Sequence, residues 1–225
     1  MRVHFFYLFL FLTFSSFTLF SQAYFRISAD FSIKDKNPKG SEFYKGKVFF
    51  DKEVNKVVYN ISFPDKKMLV MADTQMYQLV NKKVVSQQFV PSTNKFTVFN
   101  LALSGDLRNF GLQKTGYAIN TIEENGDQTI IEWLPPSYLE DKMGKVVLSL
   151  KEGQLFGIAL FNPEGELTAK KFYQEYKSIK GLPFPSKVIQ ISYIDGAEYY
   201  KMTTFSNVKI DELESDEMYN VDLSN

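Results

Sequence analysis

Side chains able to make or break bonds are scarce in this chain. Its only histidine is His4, and none of its 225 residues is a cysteine. His4 lies in an N-terminal segment with the pattern of a secretory signal. Arg2 gives a short positive start, Phe5 to Phe20 is an apolar stretch, and Ser21-Gln22-Ala23 offers small residues for cleavage after Ala23. Removal of residues 1–23 leaves 202 residues with neither His nor Cys. That excludes Ser-His-Asp triads, cysteine nucleophiles and the usual zinc sites. Paired carboxylates could hydrolyse sugars. The candidates Glu123, Glu124, Asp127 and Glu132 instead surround the hairpin turn Asn125-Gly126, where acidic residues are ordinarily solvated. There is no phosphate loop or dinucleotide fingerprint, and Gly165 and Gly181 read as turn glycines. The sequence predicts no enzyme, no metal and no cofactor.

The remaining resource is apolar surface. The chain carries 22 Phe, 13 Tyr and one Trp, and 26 basic residues balance 26 acidic ones. Balanced charge argues against a nucleic-acid partner. So many aromatics require a large core or a large apolar groove.

The elements that would position this surface are mainly strands. Ile27, Ala29, Phe31 and Ile33 alternate with polar residues in a first strand. Val48–Phe50, Val57–Phe63, Met68–Met71 and Met76–Val80 then form a meander punctuated by turn residues. In Val57–Phe63 the odd positions Val57, Tyr59, Ile61 and Phe63 share one face. That greasy face must be covered by the protein or by a guest. From Ser92 the period changes. Phe96, Phe99 and Leu103, extended by Leu107 and Phe110, predict a helix with Ser92 as its cap, laid as a lid across the apolar face. Strands resume from Tyr117, and Leu182-Pro183-Phe184-Pro185 separates the last pair, Lys187–Tyr193 and Tyr199–Phe205. About ten or eleven strands with one or two short helices result. The expected fold class is mainly β with α, an unclosed antiparallel half-barrel with a short helical lid. Residues 1–23 are the signal, 24–208 the domain, and 209–225 an acidic tail expected to be solvated and partly disordered.

Several ordered features resemble the periplasmic lipoprotein carriers of the LolA-like family. They are Ala29-Asp30-Phe31-Ser32, Gly46-Lys47-Val48-Phe49, Tyr59 with Phe63-Pro64, Leu69-Val70-Met71-Ala72-Asp73 before Met76-Tyr77, and the turn Asn162-Pro163-Glu164-Gly165. The similarity runs from Ile27 to Tyr176, and Phe96–Phe110 falls where that family places its lid helices. Lys52-Glu53 stand where the family has an Arg-Pro tied to cargo release, and Lys187–Phe205 lies beyond the matched region. The resemblance implies an unclosed barrel with a concave apolar face that ferries lipoprotein acyl chains to the outer membrane. It also implies an inner-membrane donor complex and an outer-membrane acceptor as partners.

The expected function is therefore a soluble, monomeric, periplasmic carrier binding acyl chains of lipoproteins or other lipids. The residues expected to line its groove are Phe49, Tyr59, Ile61, Met68, Val70, Met76, Phe96, Phe99, Leu103 and Trp133. No Cys follows Ala23 to receive a lipid anchor. The alternative is a structural or assembly module of the cell envelope with the same fold and a filled cavity. An open hollow favours the carrier and a plugged one the module.

Overall fold

The structure, a computed structural model, describes residues 23–90, 94–212 and 214–223. The signal segment before Ala23 and the proposed cap Ser92 lie outside the described residues. Thirteen antiparallel strands form one open sheet: β1 (Arg26–Asn37), β2 (Gly40–Asp51), β3 (Lys56–Phe63), β4 (Lys67–Ala72), β5 (Gln75–Val80), β6 (Lys83–Phe89), β7 (Ala118–Asn125), β8 (Gln128–Leu134), β9 (Val146–Lys151), β10 (Gln154–Phe161), β11 (Leu167–Ile179), β12 (Leu182–Ile194) and β13 (Ala197–Ile210). Among the described residues two short helices, α1 (Val98–Leu103) and α2 (Asp216–Tyr219), accompany them.

The order across the sheet explains the architecture. It runs β6-β5-β4-β3-β2-β1-β13-β12-β11-β10-β9-β8-β7. The chain starts in the middle at β1, meanders outward to the edge strand β6, and must then reach the opposite edge, β7. After β7 it meanders back until β13 pairs with β1. The link between the edges carries α1 and the short turns Asn94–Phe96, Leu107–Asn109 and Leu112–Lys114. Topology thus makes the connector a cover for the hollow. The single predicted helix is broken into short turns, and Gly105 and Gly111 sit at the breaks with left-handed φ of +68° and +71°.

Thirteen strands exceed the ten or eleven expected, and Leu182–Pro185 belongs to β12 rather than separating strands. Proline is tolerated there because β12 pairs with β13 only from Lys187 onward, leaving its first residues bonded to β11 alone. The turn before β12 is made instead by Lys180-Gly181.

Both faces of the N-terminal half of the sheet are apolar. Tyr59 lies opposite Val48 and Leu69, and these share the concave core with Val57 and Ile61. Val58 lies opposite Phe49 and Val70, which with Leu79 form a second cluster on the convex face. The C-terminal segment covers that second cluster. Tyr219 is 3% exposed, packs edge-to-face on Phe49 at 5.4 Å, and brings Met218, Val221 and Leu223 with it. Arg26 clamps the segment, pairing with Asp51 at 2.7 Å and Asp216 at 2.6 Å while its guanidinium lies 4.7 Å from the centre of the Tyr219 ring. Asp211 accepts hydrogen bonds from the backbone N–H groups of Phe25 and Arg26. The acidic tail is therefore a docked strap, against the solvated end read from its charges.

Gly46, in β2, has a steric reason to be glycine. A Cβ there would stand 2.1 Å from the backbone oxygen of Asn60, and backbone on the neighbouring strand cannot yield as a side-chain tip can. Gly46→Ala is expected to destabilise the protein by about 1–3 kcal/mol, as overpacking generally does. A lowered urea midpoint with an unchanged slope would record it.

Candidate functional site

The concave face and the connector enclose an open hollow of about 740 Å³. Protein pockets that hold small ligands span roughly 300–1,000 Å³. The central strands supply its floor: Phe31 and Ile33 from β1, Tyr44 from β2, Tyr59 and Ile61 from β3, Val188 from β12, Thr203 and Phe205 from β13. The connector supplies its roof through Phe96, Val98, Phe99, Phe110 and Leu112. The far wing closes the side with Val146, Leu160 and Tyr173.

The roof is held by local chemistry. Thr97 is the N-cap of α1, its hydroxyl accepting from the N–H of Asn100 at 3.2 Å. Five of the six residues of α1 are buried, so the helix is fixed by packing rather than by propensity. Phe99 is its anchor. Its ring lies 5.2 Å from Phe205 and 6.1 Å from both Phe184 and Phe50, tying the roof to three strands at the centre of the sheet. Phe96 and Phe110 meet at 5.4 Å and join the two ends of the cover. At the other end of α1, the Lys52 ammonium donates to the carbonyl oxygen of Leu103 at 3.3 Å, a favourable place for a cation. Lys52 thus links the first meander turn to the cover.

The floor is not wholly apolar. One row of cross-strand partners reads Lys171, Gln190, Lys201, Asp35, and all four line the hollow. Asp35 pairs with Lys201 at 3.4 Å. The Lys171 ammonium lies 5.7 Å from the centre of the Phe110 ring. Burial pulls its pKa below the usual lysine value, and the charge of Lys201 adds to the fall. The phenols stay neutral. Burial pushes Tyr59 up to about 12 and raises Tyr173 further.

Four of the ten residues expected in the groove do line it: Tyr59, Ile61, Phe96 and Phe99. Phe49, Met68 and Val70 do not. They pack on the convex face, because register places Phe49 and Val70 opposite Val58 and Met68 opposite Asn60, the outward positions of β3. Leu69, between Met68 and Val70, lines the hollow in their place. Met76 pairs with Met71 on the concave side but is absent from the lining. Leu103 and Trp133 are buried in the concave core without bordering the space. The filled cavity of the alternative reading is not what this geometry contains.

The carboxylates considered for sugar chemistry lie elsewhere. Glu132 accepts from Lys145 and Asn120, each at 2.7 Å, which holds its pKa below the ordinary value, and Asp127 pairs with Lys151 at 3.3 Å. Glu123 and Glu124 are exposed on the edge strand β7. Among the described residues no cluster of three or more His, Cys, Asp or Glu could hold a metal ion.

This architecture occurs in solved structures. A LolA superfamily protein from Nitrosomonas europaea matches with a TM-score of 0.58 over 88% of this chain and 91% of its own, at 15% identity. The chain has a LolA-like fold. A Vibrio parahaemolyticus domain described as an outer membrane lipoprotein-sorting protein matches it with a TM-score of 0.60 at 14% identity, over 87% of this chain and 89% of its own. A DUF1329 family protein from Desulfovibrio piger gives 0.59 at 14% identity, over 88% and 90%. No family model and no curated protein matches the sequence. The LolA-like fold expected from Gly46-Lys47-Val48-Phe49 and its companion features is thus present at identities where sequence comparison is silent.

Proposed function

We propose that this protein is a non-enzymatic periplasmic carrier that shelters the acyl chains of lipoproteins or lipids and delivers them to the outer membrane. The observation that carries the reading is the open, covered apolar hollow of about 740 Å³ between the sheet and the connector. Each methylene moved from water into such a space contributes about 0.8 kcal/mol. A bilayer offers the same return, so a carrier must match the membrane without greatly exceeding it, or its cargo would never leave. A hollow with a mouth, roofed by a connector of short turns, meets that requirement better than a sealed core. The LolA-like fold supports the same reading, as does the description of the Vibrio neighbour. In this scheme the N-terminal segment directs export, an inner-membrane donor complex loads the monomer, and an outer-membrane acceptor unloads it.

The test is transfer. Donor vesicles carrying a fluorescent acylated lipoprotein are separated by a membrane-impermeable gel from label-free acceptor vesicles. The protein lacking residues 1–23 is expected to move label across the gap in proportion to its concentration. Label that stays with the donor at all concentrations, both for the lipoprotein and for a fluorescent fatty acid or lysophospholipid run in parallel, would refute the carrier reading.

A further inference from the structure

The hollow is electrostatically unlike the chain that builds it. The whole chain is neutral, with 26 basic and 26 acidic residues. Among the described residues, the charged ones lining the hollow are Lys67, Lys171 and Lys201 against Asp35, three cations to one anion and so a net charge of +2. Asp35 is matched by Lys201 at the mouth, where the Lys201 side chain is 50% exposed. Lys171 lies further in on β11, half-buried, directly across from Gln190. Among the described residues it has no carboxylate within ion-pair distance, and its neighbour is the Phe110 ring of the roof. Lys67 likewise faces a ring, that of Tyr44 at 5.9 Å.

An ammonium held among aromatic rings without a counter-ion is costly unless something compensates it. A neutral chain bound beside it would remove more water and deepen the cost. An anionic headgroup would reverse it, because the same low-dielectric surroundings strengthen a charge-assisted contact. We propose that the occupant of the hollow is an amphiphile with a carboxylate or phosphate headgroup, which Lys171 meets while the acyl chain lies against Tyr59, Phe99 and Val188. This rests on the carrier reading and narrows it, since the amide- and ester-linked chains of a lipoprotein offer no such anion.

The test compares headgroups on one chain. Oleate, oleoyl lysophosphatidate and neutral monoolein are titrated below their micelle concentrations by displacement of a fluorescent probe from the hollow. Both anions are expected to bind about tenfold or more tightly than monoolein, the range for a hydrogen bond to a charged group. Lys171→Met, which replaces the amine by an apolar side chain of similar length, should erase the preference by weakening both anions, with monoolein bound at least as tightly as by the parent. Lys171→Arg should keep it, and circular dichroism confirms that both variants fold. Acetate and inorganic phosphate, which lack the chain, should displace nothing. Equal binding of all three lipids would overturn the headgroup assignment while the carrier reading stands. A preference that survives in Lys171→Met, or displacement by inorganic phosphate alone, would overturn it too. If none of the three lipids binds, the carrier reading itself fails and takes the headgroup with it.

Discussion

Val188→Trp yields a protein that folds and no longer carries lipid. Val188 stands on β12 between Tyr173 of β11 and Thr203 of β13, and all three line the hollow. An indole projecting from that point occupies the middle of the space, where a guest chain would lie. In a packed core such a substitution costs roughly 1–3 kcal/mol. Here the ring enters unfilled volume and adds buried apolar area, so the melting temperature is expected to hold or rise. Bound lipid recovered per mole of protein is expected to fall by about tenfold or more, the equivalent of roughly two lost methylene contacts. If the variant were destabilised like an overpacked core mutant and still bound lipid normally, the hollow would not be the binding space.

Phe99→Ala has the opposite signature. Phe99 is 1% exposed and contacts Phe50, Phe184 and Phe205 at the centre of the sheet. Truncating a buried phenylalanine typically costs 3–5 kcal/mol, by lost transfer energy and by the cavity left behind. In a chain of this size that lowers the melting temperature by roughly 10 °C or more. It also unfastens the roof, because Phe99 is the residue through which α1 grips β2, β12 and β13. Amide hydrogen exchange in the segment 94–117 is therefore expected to accelerate more than exchange in β1 or β13. A uniform acceleration across the sheet would show that the roof is not anchored as described.

Much of this was legible in the sequence, and the failures share a cause. The alternation in Ile27–Ile33 and Val57–Ile61 located strands and their inward face, since their outward positions are largely polar, but Phe63, grouped with that face, pairs with Lys45 beyond a register shift and is 43% exposed. Val48-Phe49-Phe50 and Met68-Leu69-Val70-Met71 are apolar at every position, so periodicity cannot say which side chains face the hollow. Register decides, and it sends Phe49, Met68 and Val70 to the convex face and Leu69 inward. That convex face can be greasy because the C-terminal strap covers it, and the strap was hidden by its own acidic residues around Met218, Tyr219, Val221 and Leu223. Lys171 was equally hidden. In Lys170-Lys171 both residues look solvated, and only the pairing with Gln190 shows that the second turns inward. Lys52, noted as a replacement of Arg, gains a meaning once α1 ends beside it.

The most direct measurement is the lipid content of the protein itself. The full chain, produced with its N-terminal segment, exported to the periplasm and purified without detergent, is extracted with organic solvent and analysed by mass spectrometry, with Val188→Trp prepared alongside. The account predicts acyl-chain lipid approaching one equivalent in the parent protein and little in the variant. Parent protein that repeatedly emerges stripped, or a variant that retains as much lipid, would contradict it.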